Sequence, residues 1–140
     1  MEPIDSRIIK FAKQQHLLTV ATSADGVPYV ASCFYAYDVK RNLFIFTSSQ
    51  STRHGREMLQ NQRVALNIAL HTRIVGRIKG LQVTGHATQA DEAAKSTYLK
   101  CFPYAVVAPL ELWMVAPDML KLTDNTLGFG KKLIWQNMEQ

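Results

Sequence analysis

The chain has 140 residues, 47% of them hydrophobic and 19% charged, which is ordinary for one globular domain covering residues 1–140. Its formal charge of +5 favours solubility or an anionic partner, but the Lys and Arg residues are scattered, so a dedicated nucleic-acid arm is not expected. Two cysteines are too few for a disulfide scaffold or a zinc site, and no apolar run approaches the roughly 20 residues that cross a bilayer, so we expect a cytoplasmic protein with no membrane partner.

The first half of the chain predicts a helix, an antiparallel meander and a second, shorter helix. The N-terminus does not resemble a signal peptide, and Asp5 caps a helix that runs to about residue 15. The β-prone segments that follow are residues 16–23, 27–37 and 43–47. Asp25 and Gly26 supply the hairpin turn between the first two. A short helix then fits from Thr52 to Leu59 or from Ser51 to Met58, and Asn61 can end it.

The second half predicts four more strands and one helix. The strands are residues 62–69, 76–87, 111–116 and 119–123. Gly80 and Gly85 permit bulges in the long strand, and Pro117-Asp118 divides the last two strands. A helix capped by Asp91 runs to about Lys100. Six or seven short strands with two or three small helices predict a mainly β fold, an antiparallel barrel that is closed or half open.

The stretch from Thr47 to Arg56 carries the clearest chemical signal. A strand ends in hydroxyl side chains, basic side chains follow, and a helix begins. A helix N-terminus presents unpaired N–H groups and a partial positive charge, so it suits a phosphate. Thr47, Ser48 and Thr52 can donate hydroxyl hydrogen bonds, and the planar guanidinium of Arg53 can bind two phosphate oxygens. An ordinary N-capping box with surface charges explains the same residues equally well.

This order of elements and the hydroxyl-Arg-basic motif resemble the pyridoxamine 5′-phosphate oxidase-like FMN-binding split barrel. The resemblance runs from about Leu17 to Thr123. The C-terminal string of residues 122–132 with Trp135, together with residues 52–54 and 78–83, resembles the bacterial YhbP-type branch of that superfamily.

The resemblance implies a homodimer that binds two FMN molecules at its interface. The FMN phosphate is then held by Thr52, Arg53 and His54. Gln82 matches a region that reaches the flavin from the neighbouring subunit, and Trp113 falls near an aromatic position that packs over the cofactor. Packing or solvent exposure explains Gln82 and Trp113 without a ligand.

The resemblance also places one strand along the flavin ring, the strand that carries Ser32, Cys33 and Phe34. Its backbone groups can hydrogen-bond the ring edge. Cys33 is more simply explained as a small core residue than as a nucleophile, because no neighbouring feature argues for a lowered thiol pKa. The apolar segment 102–109 is expected either to line the pocket or to lie at the dimer seam, and the seam is favoured because exposed apolar patches mark contacts.

The sequence therefore predicts an FMN-binding protein, a flavin-dependent oxidoreductase whose substrate the residues do not identify. Where pyridoxamine phosphate oxidase carries Arg-Leu-His-x-Arg, residues 119–123 read Met-Leu-Lys-Leu-Thr, so pyridoxine chemistry is not expected. No general acid or base is identified, and deazaflavin is not distinguished from FMN. One alternative is a non-enzymatic flavin or haem binder with His54, His71 or His86 as axial ligand; another is a cofactor-free barrel that binds nucleic acid or protein. The histidines lack metal-ligand spacing, so no metal site is expected.

Overall fold

The structure, a computed structural model, describes residues 3–107 and 109–137. Within these residues seven antiparallel strands form one sheet in the order β3-β2-β1-β4-β5-β6-β7, and β3 also pairs with β6. The strands are β1 (Leu17–Ala24), β2 (Val27–Asp38), β3 (Leu43–Thr47), β4 (Arg63–Ala69), β5 (Lys79–Gln89), β6 (Leu112–Asp124) and β7 (Lys132–Gln136). The β3–β6 pairing closes six strands into a barrel, with β7 attached to β6, which confirms the predicted fold class.

Three α-helices accompany the barrel: α1 (Ser6–Gln14), α2 (Arg53–Gln60) and α3 (Glu92–Cys101). Each begins at a predicted side-chain cap, since Asp5, Thr52 and Asp91 accept hydrogen bonds from backbone N–H groups two or three residues further on. Short 3₁₀ segments lie at Val75–Arg77, Pro103–Val107 and Asn125–Leu127.

Alternation along the strands builds the core inside the barrel. In β1, Leu18 and Val20 are almost completely buried, while Leu17 and Thr19, which alternate with them, face outward. Helix α1 adds Ile8 and Phe11 to this core. A second, smaller cluster packs α3 against β2 and β3 through residues such as Tyr98, and so fixes the segment after α3 beside β2.

The predicted strand over residues 76–87 was wrong at its start, because β5 begins only at Lys79. Residues 75–78 bind the tail of the chain instead of β4. The side-chain amide of Asn125 donates to the carbonyl of Val75 at 2.9 Å, and the Asn125 N–H donates to the carbonyl of Ile78 at 3.0 Å. The tail itself forms β7, a strand that the sequence analysis did not assign.

The predicted division of residues 111–123 into two strands was also wrong, because β6 runs through Pro117 without a break. Residues 112–115 pair with β3, whereas residues 119–123 pair with β7. Pro117 belongs to neither pairing, so its missing N–H falls where the strand changes partner. Along its other edge β6 pairs with β5. A bulge there lies between Thr84 and Gly85, as predicted for Gly85, and Asp118 is the extra residue of β6.

No helix among the described residues has the length and apolar character needed to span a bilayer.

We predict that Gly85→Ala destabilises the barrel, whereas Gly80→Ala does not. A Cβ on Gly85 would lie 2.4 Å from the carbonyl oxygen of Ala116, but a Cβ on Gly80 would meet no atom within 4 Å. Overpacking against fixed backbone costs about 1–3 kcal/mol, so the first variant should lose that much free energy of unfolding. Denaturant titration measures both variants, and equal midpoints would contradict the role of this close approach.

Candidate functional site

A cleft of about 650 Å³ opens between β2, the end of β3 and the start of α2. It brings together all of the predicted site residues except Arg53, Gln82 and Trp113. Its lining residues are Ser32, Cys33, Phe34, Thr47, Ser48, Ser49, Thr52, His54, Pro109 and Glu111. The volume lies in the range of small-molecule and cofactor sites.

Ser48 is fixed by its backbone, while its hydroxyl is left without a partner. Its N–H donates to the carbonyl of Glu111 at 2.9 Å, and its carbonyl accepts from the indole N–H of Trp113 at 3.0 Å. The residue is only 3% exposed, and its Oγ has no hydrogen-bond partner in the described part of the chain. Because an unpaired buried hydroxyl is unfavourable, this oxygen suits a polar ligand atom in the cleft that it borders.

The start of α2 lies against the same turn. The Thr52 hydroxyl accepts from the N–H of Gly55 at 3.2 Å and donates its proton to the carbonyl of Ser49 at 2.6 Å. The hydroxyl oxygen therefore caps the helix, while its proton is used by the Ser49 carbonyl. The backbone N–H groups of Arg53 and His54, in the first turn, have no intrahelical acceptor and lie at the positive end of the helix dipole.

Two residues that the sequence analysis missed shape this turn. A Cβ on Gly55 would lie 2.1 Å from the carbonyl oxygen of Ser49, so only glycine lets α2 approach so closely. The Glu111 carboxylate accepts from the N–H of Gln50 at 2.9 Å. A glycine in the first turn of a helix is a usable sequence signal, whereas nothing local connects Glu111 to a turn 61 residues away.

Arg53 does not line the cleft. Its Nε donates to the Glu57 carboxylate at 2.9 Å, and its guanidinium lies 4.2 Å from the centre of the Tyr29 ring. The buried Thr22 hydroxyl donates to the other Glu57 oxygen at 2.8 Å. These hydrogen bonds, that from Arg53 first, lower the pKa of Glu57 below its ordinary value. The role of Arg53 as a phosphate ligand stays a prediction.

His54 is the titratable side chain of the cleft that could carry positive charge. Burial lowers the pKa of His54 below its ordinary value, and the nearby Glu57 only partly opposes this shift. The imidazole is therefore mostly neutral near pH 7 and can donate one hydrogen bond. His71 and His86, the other predicted haem-ligand candidates, are not among the lining residues of this cleft.

Three residues of β2 line the cleft, two with exposed side chains and one with a side chain that faces the core. Ser32 and Phe34 are exposed, and the Phe34 ring lies 6.0 Å from that of Phe102. Cys33 faces the core, and burial raises the pKa of its thiol to about 11, so it is a thiol and not a reactive thiolate near neutral pH. This supports the packing interpretation of Cys33.

One backbone edge of β2 also borders the cleft. The strand pairs with β1 over residues 27–34 but with β3 only over residues 35–38. Within the described residues, no strand pairs with the β3-side edge of residues 30–34. The backbone groups along that edge are thus available to a flat ligand, and their contact with a flavin ring stays a prediction.

The remaining predicted residues lie elsewhere. Trp113 is buried and its indole binds the Ser48 carbonyl, so it supports the cleft from behind. Gln82 is exposed on the outer face of β5, between Asn67 and Lys121 on the neighbouring strands. Val107, 89% exposed, lies in the segment after α3 that was expected at a dimer seam. No cluster of three His, Cys, Asp or Glu residues in the described ranges could hold a metal.

The barrel and its cleft define a split β-barrel of the pyridoxamine 5′-phosphate oxidase-like class. Residues 4–120 match the family described as Pyridoxamine 5′-phosphate oxidase, and the chain belongs to this family. It is also 38% identical over 136 residues to a UPF0306 protein of Yersinia pseudotuberculosis serotype O:3 (strain YPIII). The alignment covers 94% of this chain and 92% of the relative. The resemblance seen in the sequence is thereby confirmed.

Solved structures with the same fold include proteins named for different cofactors. A heme binding protein from Mycobacterium smegmatis superposes with a TM-score of 0.75 at 15% identity, over 97% of this chain and 59% of that one. A FAD-binding protein from Mesorhizobium loti superposes with a TM-score of 0.71 at 17% identity, over 84% and 90% of the two chains. At such identities the similarity establishes the fold alone.

We predict that Trp113→Phe destabilises the protein even without a cofactor. The change leaves the buried Ser48 carbonyl without its donor, at a cost of about 1–3 kcal/mol. Tyr104→Phe, which removes a polar group from a ring that is 70% exposed, serves as the control and should be close to neutral. Chemical denaturation of cofactor-free protein compares the two, and a silent Trp113 variant would contradict the supporting role.

Proposed function

We propose that the protein binds FMN in this cleft and is a flavin-dependent oxidoreductase. The observation that carries the proposal is the buried Oγ of Ser48, which has no hydrogen-bond partner among the described residues and lines the same cleft as the start of α2, whose first-turn N–H groups have no intrahelical acceptor. Both are donors, and a phosphate offers only acceptor oxygens to them once it is ionised. Family membership supports a flavin or haem ligand in general, and the donor set favours one with a phosphate.

The flavin ring would lie along β2. The unpaired edge of residues 30–34 offers backbone donors and acceptors to the polar edge of the ring, while the exposed Phe34 offers an aromatic surface. The exposed Ser32 side of the cleft continues from the phosphate end, because Ser32 and Ser48 line the same cavity. The arrangement suits a long ligand with one anionic end and one flat end.

The protein would bind and orient the cofactor and leave the chemistry to it. A bound flavin supplies hydride or electron transfer. The Cys33 thiol stays protonated, and the Thr52 hydroxyl donates its proton to the Ser49 carbonyl, so neither serves as a base. His54 and Ser48 would instead hold a phosphate by donated hydrogen bonds.

We further propose a homodimer through the outer face of β2, β1, β4 and β5. On this face Ser32, Thr19, Asn67 and Gln82 form one row across the four strands. A two-fold axis parallel to the strands, between β1 and β4, would bring Gln82 of the partner subunit opposite Ser32. Exposed apolar side chains at Leu17 and Val30 support contact through this face.

Titration of purified protein with FMN, riboflavin and haem, combined with mass measurement by light scattering, tests both proposals. We expect an FMN spectrum, tighter binding of FMN than of riboflavin, and a dimeric mass. A Soret band with no flavin binding would favour the haem alternative, with His54 as the histidine in the cleft. Equal affinity for FMN and riboflavin would show that no phosphate is held.

A second candidate function, binding of an anionic partner, is favoured by the charge distribution. Residues 71–79 and 125–132 contain five Lys or Arg and no Asp or Glu, while the rest of the chain contains eleven of each sign. Asn125 joins the two segments, and Phe129 in the second segment is 84% exposed. Steeply salt-dependent binding of DNA by flavin-free protein would support this function.

We predict that Ser48→Ala weakens FMN binding without destabilising the cofactor-free protein. The variant loses one hydrogen bond to a charged group, which should lower FMN affinity about tenfold, yet it removes a buried hydroxyl that has no partner and should leave the free energy of unfolding equal or about 1 kcal/mol higher. Ser96→Ala on exposed α3 is the control. Unchanged FMN affinity in the Ser48 variant would contradict the phosphate site.

We predict that FMN affinity rises as the pH falls from about 8 to about 6.5, by up to roughly tenfold. The His54 pKa is lowered in the free protein, and a phosphate dianion would raise it, so binding takes up a proton. His54→Gln should flatten this profile, and riboflavin binding to the unchanged protein should be flat as well. Calorimetry at several pH values measures the effect, and a rise in affinity with pH would contradict it.

A further inference from the structure

Glu57 is a carboxylate enclosed between α2 and β1. The residue is 8% exposed, and each of its two oxygens accepts a separate hydrogen bond, from Thr22 at 2.8 Å and from Arg53 at 2.9 Å. Thr22 is itself 2% exposed and lies on the inner face of β1, so it cannot follow a mobile side chain. Glu57 is therefore a fixed acceptor. Of the three hydrogen-bonded side chains, Thr22, Glu57 and Arg53, only that of Arg53 is partly exposed.

Arg53 is bound through only part of its guanidinium. Nε is used by Glu57, and the plane of the group lies against Tyr29 at 4.2 Å. The two terminal nitrogens make no hydrogen bond to the described residues. Arg53 is not itself a lining residue of the cleft, but its neighbours Thr52 and His54 in the chain are, so a phosphate at the edge of the cleft is the ligand anion nearest to it. A guanidinium held at Nε and by one ring face keeps its terminal pair of donors for a second anion.

We propose that Glu57, anchored by Thr22, is a positioning residue that holds Arg53 with its two terminal nitrogens ready for the phosphate of the bound flavin. The inference rests on the proposed FMN site. It explains why a carboxylate lies next to a predicted anion site: the carboxylate orders the long Arg side chain before the ligand arrives, so less rotamer entropy is lost on binding.

A purely structural role for Glu57 is the competing explanation. The Thr22–Glu57 contact joins α2 to β1, but Asn61 at the end of α2 makes a similar junction, since its amide donates to the Ser23 carbonyl at 3.3 Å and to the Ser23 hydroxyl at 3.1 Å. A structural role would affect all ligands of the cleft alike. A positioning role would affect only the ligand that carries a phosphate.

The experiment measures FMN and riboflavin affinities for the unchanged protein, Glu57→Gln, Arg53→Ala and the double variant. We expect Glu57→Gln to weaken FMN binding about tenfold, as a charge-assisted hydrogen bond becomes a neutral one, and to leave riboflavin binding unchanged. In the Arg53→Ala background the Glu57 change should have no further effect. Glu92→Gln on α3 makes the same substitution at an exposed site and should change neither affinity.

Several results would overturn the inference. Equal losses for FMN and riboflavin would indicate a structural role, and tighter FMN binding by Glu57→Gln would show that the carboxylate competes with the phosphate. If Glu57→Gln does not fold, Thr22→Val, which removes the anchoring hydroxyl, must give a smaller FMN-specific loss or the inference fails. Absence of FMN binding by the unchanged protein would remove the proposed function itself, whereas an effect of Arg53→Ala without one of Glu57→Gln would remove only this inference.

Discussion

The cleft depends on the turn after β3, whose backbone at Ser48 and Ser49 is held by Glu111, by Trp113 and by the start of α2. At Ser48 the N–H and the carbonyl are both bonded to β6 or to the residue before it, through Glu111 and Trp113. The Ser49 carbonyl accepts a hydrogen bond from the Thr52 hydroxyl and lies against Gly55. Because its N–H and carbonyl are satisfied inside the protein, Ser48 can offer a ligand only its hydroxyl. A site of this kind is rigid before anything binds.

The parts of this turn that could be predicted are the local ones. Thr52 as a helix cap and Asn61 as the helix end follow from short-range hydrogen-bonding rules, and both are confirmed. The contacts of Glu111 and Trp113 arise because β6 pairs with β3, and no local pattern encodes a pairing between strands so distant in sequence. The resemblance placed Trp113 near the site but not the group that it binds, which is the carbonyl of Ser48.

Strand boundaries show the same division between local and distant causes. The hairpin before Val27 was predicted from its turn residues, and β3 was predicted with its observed bounds. Pro117 was interpreted as a strand break by a rule that assumes a single partner along the whole strand. Because β6 leaves β3 and joins β7 at this residue, the proline is accommodated inside the strand. Only the closure of the barrel makes that possible.

Arg53 shows how a sequence motif can hide a competing contact. The spacing of Arg53 and Glu57 by one helical turn was visible in the sequence and is typical of an exposed ion pair, which contributes little. Here the ion pair is not a simple exposed one, because the Thr22 hydroxyl from β1 fixes the Glu57 carboxylate in a buried position. A fixed acceptor can orient an arginine, whereas a mobile one would only compete with the ligand for it. The difference between these two outcomes is set by a residue 35 positions away, on a strand that the local helix rules do not include.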